Sequence, residues 1–138
     1  MTSENEQFLL QLAQRIAQQE RKVVKEIREL AETEENYLII IREYERVQEQ
    51  VVRARYLQAQ ATLTLAEWLT TVVHFHWCCA YCQEKPFQVL HHFTPRSQGG
   101  TSFNNCVPAC YSCARSKVQK NTHVKSYLDR MKERSLIL

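Results

Sequence analysis

Two Cys-x-x-Cys pairs, Cys79/Cys82 and Cys110/Cys113, bracket the part of this chain whose residue types can do chemistry. Thiolates spaced this way share one tight turn, and two such turns can grip a single tetrahedral ion. Four thiolates make a closed structural zinc site. In a segment with so little core, the metal would supply folding free energy on the order of 10 kcal/mol. Cys78 competes with Cys79, but only Cys79 gives the two-residue spacing, and Cys106 reads as a small buried apolar residue on a short strand. All six cysteines fall between positions 78 and 113. The opening MTSENEQ lacks a secretory pattern, so zinc is favoured over disulfides or a redox dithiol.

Between the pairs, Val89-Leu90-His91-His92 runs into Phe93-Thr94-Pro95-Arg96-Ser97-Gln98-Gly99-Gly100, and Asn105-Cys106-Val107-Pro108-Ala109 leads to the second pair. The spacing predicts a strand over 87–91, a loop over 95–102, a short strand over 106–109 and a helix from Tyr111 or Ser112. Adjacent histidines at a strand end point to opposite sides, so one imidazole can face a metal while the other faces a water. A histidine near neutral pKa suits proton transfer. The glycine pair is read as a turn that needs positive φ.

In these residues the chain resembles the HNH endonucleases, in the subgroup stapled by two Cys-x-x-Cys knuckles. That pattern runs from a strand ending in Asp-His or His-His through P-x-S-x-G-G to Asn-Leu-Val-x-x-C-x-x-C-Asn-x-x-Lys, and it covers residues 79–117. The resemblance implies a zinc-stapled ββα module that hydrolyses a DNA phosphodiester, with His92 as general base. His91 then occupies a ligand position for a catalytic divalent ion (Mg²⁺, Mn²⁺, Ni²⁺ or Zn²⁺), and Asn105 ties the loop to the strand. The family's last ligand falls on Ala114, with Ser112, Asn121 and His123 as the nearest polar substitutes. Arg96, Arg115, Lys117 and Lys120 are positioned to meet phosphates, and the implied partner is double-stranded DNA.

These residues need a scaffold, and the rest of the chain reads as helix. Both glycines and all three prolines lie after residue 85. Leu9, Ile16, Val23, Leu30, Tyr37, Tyr44 and Val51 recur every seven residues, an apolar stripe that needs a partner. Two arrangements satisfy it. A continuous helix over 9–69 would span about 90 Å and require a second chain, hence a coiled-coil homodimer. A helical hairpin would close near residues 32–36, with Thr33 capping the second helix. The unbroken repeat favours the coiled coil.

The expected fold class is mainly α with a small α+β module. Residues 1–72 form a helical, coiled-coil or hairpin arm, and residues 73–138 form the zinc-binding ββα domain with a C-terminal helix. That helix, over 122–134, carries Val124, Tyr127, Leu128 and Met131 to pack back on the arm. His74 and His76, alternating like strand residues, are read as packing beside the knuckle.

Charge separates the halves. Residues 1–72 hold nine Lys/Arg against twelve Asp/Glu, and residues 73–138 hold nine against three, so the cysteine-rich half suits a polyanion. With no long apolar run and no signal pattern, a cytoplasmic location without a membrane span is expected. The leading function is an HNH-type metal-dependent endonuclease that nicks DNA. The alternatives are a catalytically degenerate HNH-like module that binds nucleic acid, and an adaptor in which the knuckle caps the arm.

Overall fold

The computed structural model describes residues 2–18, 24–116 and 121–137. Helix α1 (Ser3–Gln18) starts with Glu4 and Glu6 at its positive end, and buries Leu9, Leu12, Ala13 and Ile16 on one face. Helix α2 (Val24–Ala31) adds Ile27 and Ala31 to the same core. The chain then reverses. Glu32 takes φ +68°, and Thr33 caps α3 (Glu34–Tyr56) by accepting the Asn36 backbone N–H at 3.1 Å. The Asn36 side chain closes the corner, donating to the Ala31 carbonyl and accepting from Asn5 of α1.

This overturns the continuous helix. The helical run stops at Glu32, and again after Tyr56, where Gln58 takes φ +57°. The stripe finds its partner within the chain: Leu9, Leu12, Ala13 and Ile16 pack against Ile27, Ala31, Tyr37, Ile39 and Ile40, and against Leu65 and Leu69 of α4 (Leu65–His74). A coiled coil is therefore not needed to cover it. Val23, one member of the repeat, lies outside the described residues. Helix α4 opens with a capping box in which the Thr64 and Glu67 side chains each take the other's backbone N–H. No helix among the described residues is long and apolar enough to cross a membrane.

Past α4 the chain does not continue as a strand. His76 and Trp77 both take positive φ, turning it sharply into the first cysteine pair. Strand β1 (Val89–His92) pairs antiparallel with β2 (Cys106–Ala109), with His91 opposite Val107 and His92 opposite Cys106. Between them lies a single helical turn, α5 (Arg96–Gly99). Helices α6 (Tyr111–Arg115) and α7 (Thr122–Ile137) complete the chain.

Alternation along the two strands splits their side chains between two cores. Leu90 and Cys106 face Val47, Val51, Trp68 and Val72 of α3 and α4. Val89 and Val107 face Tyr81, Val124, Tyr127, Leu128 and Met131. Cys106 is buried, and burial pushes its thiol up to about 12, as befits an apolar filler. Two polar ties hold the elements that enclose the sheet. Buried Glu43 accepts from Trp68 Nε1 at 3.0 Å and from Arg46 Nε at 2.8 Å, and Arg46 also donates to the Gln88 carbonyl at 2.7 Å. Across the other core, the Thr71 and Tyr127 hydroxyls lie 3.0 Å apart, fixing α7 to α4.

Candidate metal centre and nucleic-acid site

The cysteine turns form as tight corners. Cys79 N–H donates to the Lys85 carbonyl and Gln83 N–H to the Cys79 carbonyl, with Gln83 at φ +58° to complete the bend. The second pair straddles the start of α6, where the Cys110 carbonyl accepts the Ala114 N–H at 2.9 Å. Ligand atoms of Cys79, Cys82, Cys110 and Cys113 all lie within 4.8 Å of one another. Tetrahedral zinc at about 2.3 Å from each sulfur needs neighbouring sulfurs about 3.8 Å apart, so the donor set fits a closed structural site. Backbone N–H groups of Glu84 and Lys85 aimed at Cys82 draw its thiol down to about 7, which favours the ligating thiolate. All six cysteines are free thiols, and Cys78 stands outside the cluster.

The two histidines diverge as strand geometry requires. His91 turns to the knuckle side, where its Nδ1 lies 2.8 Å from the Tyr81 hydroxyl. His92 turns towards α3, where its Nε2 lies 2.8 Å from Thr101 Oγ1. Thr101 is fully buried, and its hydroxyl donates to the Gln50 carbonyl at 3.4 Å. A hydroxyl has one proton. With that proton directed at Gln50, the Thr101 oxygen accepts the His92 Nε2–H, which leaves Nδ1 as the basic nitrogen. No described residue bonds to that Nδ1. Burial, then the nearby Arg96 and His91, bring His92 down to about 4, so its ring is neutral at pH 7.

Asn105 fastens the loop that follows β1. Its Oδ1 accepts the Thr94 N–H at 2.8 Å, and its Nδ2 donates to the carbonyls of Thr94 at 2.9 Å and Gly100 at 2.8 Å. The glycine pair is explained in two ways. Gly100 takes φ +70°, whereas a Cβ on Gly99 would stand 2.6 Å from Asn105 Nδ2. Arg96 donates through Nη2 to the Gln50 side chain, while its buried Nε has no partner.

A two-stranded antiparallel sheet leading into a short helix, stapled by four thiols, with a histidine closing the first strand, is the arrangement the motif implied. Residues 79–120 match the HNH endonuclease family. The HNH match covers 42 of the 138 residues, and α1 to α4 lie outside it. No curated protein and no solved structure matches the chain.

Against the HNH pattern, the second ion site is poorly furnished. Ala114 brings no donor to the position of the family's last ligand. Of its polar neighbours, Asn121 is engaged in capping α7 through the Val124 N–H, and His123 packs edge-on to Phe75. Among the described residues, the four cysteines are the sole group of three or more His, Cys, Asp or Glu side chains close enough to share an ion. One imidazole at His91 does not make a divalent-ion site of the family's kind. His74 packs as an aromatic, stacked 4.3 Å from Tyr127. Arg115 is exposed, with its guanidinium 6.0 Å over the Tyr111 ring. Lys117 and Lys120 lie outside the described residues.

Three residues that position the site carried no sequence signal. Tyr81 sits unremarked inside the first Cys-x-x-Cys. Thr101 follows the glycine pair with no motif of its own. Gln50 belongs to α3, 51 residues from Thr101.

Proposed function

We propose that this chain is an HNH-type nuclease that nicks DNA, with His92 as the general base. One observation carries the reading: the hydrogen-bond chain from His92 Nε2 through Thr101 Oγ1 to the Gln50 carbonyl, which leaves a neutral imidazole with its Nδ1 unengaged. In the reaction a water oxygen bonds to phosphorus in line, its proton passes to His92 Nδ1, and the opposite P–O bond to the sugar breaks, its electron pair staying on the sugar oxygen, which takes a proton from solvent. Asn105 holds the loop that brings Arg96 beside the base, and the Arg96 cation can meet the phosphate charge. The family uses a divalent ion at the leaving oxygen. Among the described residues His91 is the candidate ligand, and the donors there do not complete the site. The test is supercoiled plasmid incubated with purified protein and Mg²⁺, Mn²⁺, Ni²⁺ or Zn²⁺, alongside H92A. Metal-dependent nicking that H92A loses supports the reading; no nicking with any metal, or equal nicking by H92A, sinks it.

The second reading is an HNH-like module that binds nucleic acid without cutting it. Ala114 and His91, at positions where the family places ion ligands, favour it. Salt-sensitive binding without cleavage is its signature.

A further inference from the structure

The end of α3 carries an exposed aromatic that the core does not use. Tyr56 is 88% exposed, and Val52 and Leu57 beside it are 56% and 57% exposed. With Arg53 of α3 and Arg96 of α5, these three line an open groove of about 320 Å³. Spacing explains the shared face, since Val52 and Tyr56 are four apart on α3, and Leu57, its C-cap, stands four beyond Arg53. A groove of this size lies at the small end of ligand sites, matched to a ring or two and not to a docked helix.

The groove adjoins His92 through Gln50, one turn back on α3. The Gln50 carbonyl takes the Thr101 hydroxyl that holds His92, and its side chain takes Arg96. Arg96 spends one donor there and keeps its Nε buried, and Arg53 is held by an exposed pair with Glu49 that is worth little, so the Arg53 cation is open to solvent. An exposed aromatic ring that shares a groove with two arginine side chains complements a base with phosphates beside it.

We propose that the C-terminal turn of α3 is a stacking platform for an unpaired nucleotide. Tyr56 takes the base, and Arg53 and Arg96 take the neighbouring phosphates of a single strand directed towards His92. This inference deepens the nuclease reading and rests on the chain acting on nucleic acid. It adds that the preferred substrate has an unpaired segment, and that α3, outside the HNH match, supplies the stacking contact.

The test uses the full zinc-loaded chain and fluorescence anisotropy with a labelled twelve-nucleotide single-stranded DNA, the same sequence as RNA, and the DNA duplex. Y56A weakens binding of a single strand about tenfold, Y56W preserves it, and duplex binding is unchanged. The DNA and RNA arms show which strand is held. Because Tyr56 is exposed, Y56A keeps the wild-type melting profile. Equal single-strand binding by Y56A and wild type overturns the platform, and if plasmid nicking then still depends on His92, the nuclease reading survives alone. Tyr56-dependent strand binding with no cleavage leaves the platform standing and removes the nuclease. Binding of no nucleic acid at all overturns both.

Discussion

The Tyr81 hydroxyl, inside the first cysteine turn, lies 2.8 Å from His91 Nδ1 at the end of β1. Ring packing reinforces the contact, with centroids 5.4 Å apart in an edge-on arrangement. The knuckle thus fixes the orientation of the histidine next to the proposed base. Y81F removes the hydroxyl and leaves a half-buried imidazole nitrogen without its partner, at a cost of about 1–2 kcal/mol. Urea denaturation should show that loss while zinc content stays unchanged. A variant as stable as wild type would mean the bond contributes nothing.

The four thiols should bind one zinc per chain, and that ion should hold the module together. With Cys110 replaced by serine, the remaining three sulfurs cannot close the site, and the ligand lost is buried. Elemental analysis of C110S should find the zinc gone, and near-ultraviolet circular dichroism should show its aromatic environment disordered. A chelator added to the wild type should reproduce both effects.

Asn105 makes three hydrogen bonds from a buried side chain, so N105A should destabilise the chain by about 2–4 kcal/mol. G99A presses on the same amide from outside and should perturb the same loop. If the proposed base depends on that loop, any plasmid nicking should fall in both variants before global unfolding does. Thermal melts run beside the nicking assay separate the two effects.

Acid should destabilise the fold through its histidines. Burial first, then Arg96 and His91, hold His92 at about 4, below the 6.5 of an unfolded histidine. Between those values the unfolded chain binds more protons than the native one, so stability falls as pH drops from 7 towards 5. His91 and His74 are lowered too, chiefly by burial, and act with the same sign. Allowing for the partial exposure of His92, its share between pH 7 and 5 is about 1 kcal/mol. Urea midpoints across that range should shift less in H92Q than in wild type, and identical slopes would refute the assignment.

The four-cysteine cluster was legible in the sequence because its geometry is local. Two residues between thiols set a turn, and the turn sets where the sulfurs point, so Cys79, Cys82, Cys110 and Cys113 could be named before any fold was known. The same holds for the short pairing of β1 with β2 and for the helix that begins at Tyr111. The arm was legible only as a stripe. Heptad spacing states that Leu9, Ile16 and Tyr37 need an apolar partner, but not whether that partner lies in another chain or further along this one. Tertiary structure decided it, through the positive φ at Glu32 and the Thr33 cap that turn α3 back.

It also decided what surrounds the histidines. Residue order places His91 and His92 on opposite sides of a strand. That one meets Tyr81 and the other Thr101, with Gln50 behind it, follows from the way α3 and the knuckle close on either face of the sheet. Contacts between residues ten to fifty positions apart leave no periodicity for a sequence to display, and these are the contacts that set which imidazole nitrogen is free.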